Sequence, residues 1–287
     1  MKFFVWLRAF GAAWLLAAPI ACAAPHPVRS QAAPGTLRFA VYGDTRDGHA
    51  VHRKIVEQIL KASPDFVIQT GDLVGHANSR AQWTTYDNIT GDMRKAVPVY
   101  PTRGNHDIGG TAFEDRFTAV TSSGNKLWYS FDRGDNHFIG LAIDEETRYD
   151  AKSPQYQWLV RDLSAAHQKS RHIFVAFHVG PYSIGSHGSD LTVRETLCPL
   201  FDQYGVDVVF NGHDHIYYHT KRTTIHYIVT GGGGAPLYYP DPQKGAIAGD
   251  KWERTHNFVI CDVKDGNIEI NAYRDDGTPI EHFTANR

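Results

Sequence analysis

Apolar positions along the chain fall into short runs that alternate between two periods. Leu37–Tyr42 is a compact β-prone run; after it Val51, Ile55, Val56, Ile59 and Leu60 recur at the spacing of one helix face, ended by Ser63-Pro64. Phe66–Gln69 predicts a second strand, residues 79–95 a polar helix, and residues 97–101 a third strand. Residues 128–132 and 137–143 read as a hairpin around Gly134-Asp135-Asn136. Trp158, Leu159 and Leu163 share a face within a helix predicted over 155–167, and 172–177 predicts a strand. Leu191–Tyr204 predicts a helix and 206–210 a strand. The last third is strand-rich without a clear helix, at Ile225–Thr230, 258–263 and 268–273.

The β-type runs share a feature at their carboxyl ends. Gly43-Asp44, Gly71-Asp72, Gly104-Asn105-His106-Asp107, His178 and Gly212-His213-Asp214-His215 each follow one of them. Open α/β sheets bind ligands beyond the carboxyl ends of their strands, so the pattern places these side chains on one edge of one sheet. Singly, an Asp after Gly is usually a turn or a cap, and one His among 16 is usually surface or core. Together, Asp44, Asp72, Asn105, His178, His213 and His215 form an oxygen and imidazole donor set suited to zinc, iron or manganese. Two such ions about 3.5–4 Å apart can clamp both oxygens of an in-line displacement.

Composition narrows the picture. With 42% hydrophobic and 21% charged residues over 287 positions, the chain has a globular composition and the length of one α/β domain. Lys2 and Arg8 precede an apolar run of about thirteen residues from Ala9 to Ala21, shorter than the roughly twenty a bilayer span needs. With small residues at Ala21, Ala23 and Ala24, positions 1–24 read as a cleaved signal peptide, 25–35 as a flexible lead-in and 36–287 as the folded domain. A lipid on Cys22 is the lesser alternative. The expectation is an exported protein, periplasmic or extracellular, with no membrane span after cleavage. Cleavage would take Lys2 and Arg8 from the 29 basic residues and leave 27 against 31 acidic, which speaks against nucleic-acid binding. Cys198 and Cys261 are left either paired or buried and free. Asn88-Ile89-Thr90 fits a glycosylation triplet of the kind that is common by chance.

The order GD…GD…GNHD…H…GHDH, over roughly residues 37–235, resembles the calcineurin-like metallophosphoesterase superfamily. The runs from His178 to Ser183 and from Thr230 to Tyr238 resemble its purple-acid-phosphatase branch. The resemblance implies an α/β fold, a four-layer αββα sandwich of two mixed sheets flanked by helices. It also implies hydrolysis of a small phosphorylated substrate, a monoester in preference to a diester. Asp72 would bridge two metal ions, with Asn105, His178 and His213 completing the second position and Asp44 and His215 the first. Metal-activated hydroxide would attack phosphorus while His106 assists the leaving group and Asp107 orients its ring. Imidazoles titrate near pH 6.5, which suits proton donation near neutrality.

The chain departs from that pattern at the first metal position. Arg46 stands where many members have His, and Gly75 where purple acid phosphatases have a Tyr ligand. Water could fill the gap, or His76 could swing in, and no iron–phenolate colour is expected. Three readings of Arg46 stand open: a fork on a substrate phosphate, an ion pair with Asp47 or another loop acid, or partial replacement of the first ion's charge. Gly231 to Gly234 lacks the Lys-Ser/Thr of a P-loop and reads as a tight turn. Trp83, Tyr182, Tyr238 and Tyr239 are divided between pocket lining and core, and His187, His219 and His226 carry no assignment. A catalytically weak metal- or phosphate-binding protein is the alternative from another class. The 185–189 stretch does not reproduce a serine-hydrolase elbow.

Overall fold

A computed structural model describes residues 35–117 and 127–285, together with residues 1, 32 and 33. The expected signal segment and most of the lead-in lie outside the described residues. Two sheets form the centre. In the first, β1 (Leu37–Tyr42), β2 (Phe66–Gln69) and β3 (Val99–Pro101) are parallel; β11 (Asn257–Lys264) pairs antiparallel on the other side of β1, followed by β12 (Asn267–Arg274) and β13 (Pro279–Thr284). The second has the order β10 (Lys251–Glu253), β8 (Tyr217–Arg222), β9 (Ile225–Thr230), β7 (Val208–Asn211), β6 (His172–Ala176), β5 (Asn136–Gly140), β4 (Tyr129–Arg133). Its middle, from β9 through β7 and β6 to β5, is parallel.

Helices cover both outer faces. α1 (His49–Ala62) buries Ile55, Val56 and Ile59 against Ala40, Tyr42 and Val67, alongside Ile89 and Met93 of α2 (Arg80–Ala96). On the far side α4 (Pro154–Lys169) and α5 (Leu191–Tyr204) bury Leu159, Leu163, Leu197 and Phe201 against Val175 and Val209. Their starts follow local chemistry: Ser79, Ser153 and Asp190 each accept a backbone N–H three residues on, satisfying an orphan donor of the first turn. The short α3 (Ala112–Phe117), not foreseen from the sequence, adds Phe113 and Phe117 to a cluster with Trp83, which makes Trp83 a core residue. The architecture is the four-layer αββα sandwich.

Between the sheets, Phe39 stacks on Phe66 at 5.2 Å and meets Phe138, Phe174 and Phe210 edge-on. Each fully buried ring contributes roughly 2–3 kcal/mol of burial and fixes how the two sheets face one another. Cys261 lies in this layer and Cys198 in the outer helical layer, so both are free thiols. The expectation of one sheet edge is corrected here: the donor loops leave β1, β2 and β3 of one sheet and β6 and β7 of the other. Strand periodicity says which face is buried and not which sheet a strand joins, so the meeting of two sheet ends is a tertiary fact. No helix among the described residues is long and apolar enough to cross a membrane.

Candidate metal centre

Each expected donor sits at the carboxyl end of its strand, and three of them in strained backbone. Asp44, Asp72 and His213 have φ of 59°, 53° and 69°. The left-handed region costs a non-glycine residue on the order of 1 kcal/mol or more and persists only where its surroundings fix it. Here the Asp44 amide donates to the Gly71 carbonyl, the Thr45 amide to that of Asp72, and the Ala235 amide to that of Asp44. Close backbone approach explains two of the motif glycines. A Cβ on Gly104 would lie 2.2 Å from an Asp72 carboxylate oxygen, and one on Gly212 would lie 2.4 Å from an Asp44 oxygen.

The result is a pocket in which acceptors face acceptors. His178 donates Nδ1–H to the Thr70 carbonyl at 2.8 Å and His215 donates Nδ1–H to the Pro236 carbonyl at 2.7 Å. In the neutral rings Nε2 then carries a lone pair. Nε2 of His178 nevertheless faces Asn105 Oδ1 at 3.0 Å, Nδ1 of His213 at 3.2 Å and Asp72 Oδ1 at 3.3 Å. His213 Nδ1 meets the same Asn105 oxygen at 3.1 Å. Nε2 of His215 faces Asp44 Oδ1 at 3.5 Å, and donor atoms of Asp44, Asp72 and His215 all lie within 4.8 Å of one another. Lone pairs that converge without enough protons call for a cation, and the residues present fit metal ions.

The titration behaviour reflects the same need for positive charge. Burial pushes the Asp44 carboxyl up, against the opposing pull of His215 and His178. Burial also acts to raise Asp72, but His178, the His106 amide and the Arg46 guanidinium hold it below the usual carboxylate range. His178 is raised because Asp72 and Asp44 outweigh its burial; His215 is raised because Asp44 outweighs the burial of its ring. His213 falls to about 3 through burial and the neighbouring His178 and His187.

His106 lies at the rim, one-third exposed, with its Nδ1 2.9 Å from the Gly75 carbonyl and its Nε2 3.9 Å from Asp72 Oδ2. The expected contact of Asp107 with that ring is not made. Consecutive side chains of the short 3-10 turn point apart, and Asp107 accepts the amides of Leu73, Val74 and Gly104 instead. Burial and the Asp72 charge push Asp107 up to about 7. It ties the second donor loop to the third and leaves the ring of His106 to Gly75.

Arg46 approaches two loop carboxylates, as its ion-pair reading expects. Its Nη1 pairs with Asp47 at 2.7 Å, and its Nε, buried with no hydrogen-bond partner, lies 3.7 Å from Asp72 Oδ2. A cavity of about 40 Å³ lined by Arg46, Gly75 and Gln82 adjoins it, and His76 is exposed with its amide bonded to Gln82. The aromatic candidates divide: Tyr238 stacks on His215 at 4.1 Å, Tyr182 packs on Tyr227, and Tyr239 is 76% exposed.

One site residue was missed by sequence reasoning. The ring of His187 stacks on His213 at 3.9 Å, its Nδ1 lies 3.2 Å from Asp214 Oδ1, and no described residue bonds its Nε2. Its place in a Gly- and Ser-rich loop directly after His178 was the available signal. His219 and His226 pair with each other well away from this cluster.

Residues 37–217, more than half of the chain, match the Calcineurin-like phosphoesterase family, and the protein belongs to it. Among its relatives, Purple acid phosphatase 18 of Arabidopsis thaliana is 31% identical over 233 residues, covering 72% of this chain and 52% of the relative. Purple acid phosphatase 15 of the same plant is 26% identical, covering 82% and 54%. The chain thus spans about half the length of these curated relatives. The fold is shared with purple acid phosphatase PPD1 from yellow lupin (TM-score 0.74, 21% identity, 91% of this chain and 55% of that one). It is shared also with GAP50 of Plasmodium (TM-score 0.70, 18% identity, 88% and 89%).

Proposed function

We propose that the protein is an exported, metal-dependent phosphoric ester hydrolase that prefers monoesters. The observation that carries this reading is the acceptor-only pocket, in which six side chains from two sheets converge with too few protons among them. Asp44 and His215 would hold one ion, Asn105, His178 and His213 another, and Asp72 both. Iron, manganese or zinc there would activate water and offset phosphoryl charge. The purple acid phosphatase relatives support the monoester preference, and the apolar leader supports export.

The chain's own residues supply the rest. His106, with Nδ1–H committed to Gly75, holds Nε2 3.9 Å from Asp72 Oδ2, where the ring would pass a proton to the leaving oxygen. His187, oriented by Asp214, offers a second imidazole stacked on His213. The closed loops of β1 and β2 bury both carboxylates, which strengthens every charge interaction in the pocket.

Metal analysis of reconstituted protein should give about two ions per chain, the Asp44–His215 position releasing its ion first. On that protein p-nitrophenyl phosphate should turn over faster than bis(p-nitrophenyl) phosphate, and a faster diester would reverse the preference. An ion count near zero would end the reading. The contact of Arg46 with Asp72 favours a second reading, in which the guanidinium displaces one ion and leaves a phosphate-binding protein. Inertness toward both esters, with inorganic phosphate still bound, would select it.

A further inference from the structure

The segment after the Gly-rich turn touches both halves of the site. Pro236 accepts the Nδ1 proton of His215, and Tyr238 stacks on that ring while its amide donates to the His215 carbonyl. A few residues on, the amide of Asp241 donates to the Ile184 carbonyl at 2.7 Å, and Lys244 Nζ reaches the carbonyls of Gly185 and Ser186, each at 2.8 Å. The loop so held, residues 183–188, wraps Asp214, to which Ser183 Oγ and the amides of His187 and Gly188 donate. It carries His187 at its end.

We infer that Lys244 is a positioning residue, whose ammonium seats the 183–188 loop so that the His187 ring stays stacked on His213. Two adjacent carbonyls of that loop take their donor from one ammonium, and a charge-assisted pair is stronger than two neutral bonds. Among the described residues, the hydrogen bonds of the Lys244 ammonium run to the carbonyls of Gly185 and Ser186 and to none of the six metal donors. Its effect is transmitted through the loop: without it the carbonyls turn to water, the turn loosens, and the ring moves relative to His213. Displacements near 1 Å at a reacting group cost up to about 100-fold in rate, so a loosened loop is visible in turnover. The inference rests on the assignment of His187 to the site.

The test uses metal-loaded full-length protein and p-nitrophenyl phosphate. Lys244→Met should lower kcat by about tenfold with metal content unchanged, and Lys244→Arg, which can serve both carbonyls, should recover most of it. In a His187→Ala background Lys244→Met should cause no further loss; an equal loss there, or no loss in the parent where His187→Ala alone does lower turnover, overturns the inference. Hydrogen exchange at the amides of 187 and 188 separates this from failure of the His187 assignment. If His187→Ala alone leaves turnover intact, that assignment falls, and faster exchange in Lys244→Met would still uphold the positioning while unchanged exchange would overturn it.

Discussion

Histidines gather toward both ends of the strands that face the inter-sheet core, and the two groups behave as opposites. At the carboxyl ends, His178 and His215 give their Nδ1 protons to backbone carbonyls, so their remaining nitrogens meet carboxylate and amide oxygens with nothing between. Toward the amino ends of β6 and β9, His172 and His226 are buried, and His226 bonds His219, which bonds Glu281 and stacks on Phe283 at 3.9 Å. There His219 and His226 complement one another, while His226 Nε2 and both ring nitrogens of His172 have no hydrogen-bond partner among the described residues. Residue type is the same at both ends; what differs is where the first proton is spent. The rings of His178 and His215, tied to backbone carbonyls, turn their other nitrogens to the donor cluster, whereas His219 and His226 are tied to each other.

The largest effect expected of breaking this contrast is at Asp72, which touches His178, Arg46 and the His106 amide at once. Asp72→Ala should remove at least one ion per chain by elemental analysis and, with it, turnover by about 10³-fold or more; retained metal would detach Asp72 from the centre. Next comes His106→Ala, expected to slow turnover by about 10²–10⁴-fold with metal content intact. Unchanged turnover would take the ring out of the chemistry.

The smallest effect belongs to the other end and is one of stability. Burial, with the charges of His219 and Lys221, brings His226 down to about 3. A base whose folded pKa is depressed binds fewer protons in the native than in the unfolded state between that value and about 6.5, so stability falls as pH drops through this window. Between pH 7 and pH 5 the loss should be about 2 kcal/mol. Urea unfolding of wild type and His226→Phe at both values measures it, and parallel pH dependence of the two would refute it.

The sequence made much of this legible where local rules suffice. Phe66–Gln69 and Leu191–Tyr204 stand where the pattern of apolar positions puts them. β8 was not legible, because Tyr217 follows the last motif without a turn residue between them. β13 carries Glu281 and His282, polar residues engaged with partners on β8 and β12 and so unlike an apolar strand run. In the site, adjacency in sequence misled at His106 and Asp107, whose side chains diverge within one turn. Distance in sequence hid His187, whose orienting carboxylate is 27 positions away.

The aromatic layer between the sheets has one more consequence. Asp44, Asp72 and Asn105 belong to one sheet and His178, His213 and His215 to the other, so an ion shared among them is a rivet driven through two plates. The plates are aligned beforehand by Phe39 against Phe138, Phe174 and Phe210. Slippage of that stack spreads the rivet holes, and a lost rivet removes the clamp at the mouth of the stack. Affinity for the ion and cohesion of the sandwich are therefore one quantity seen from two sides, each rising or falling with the other.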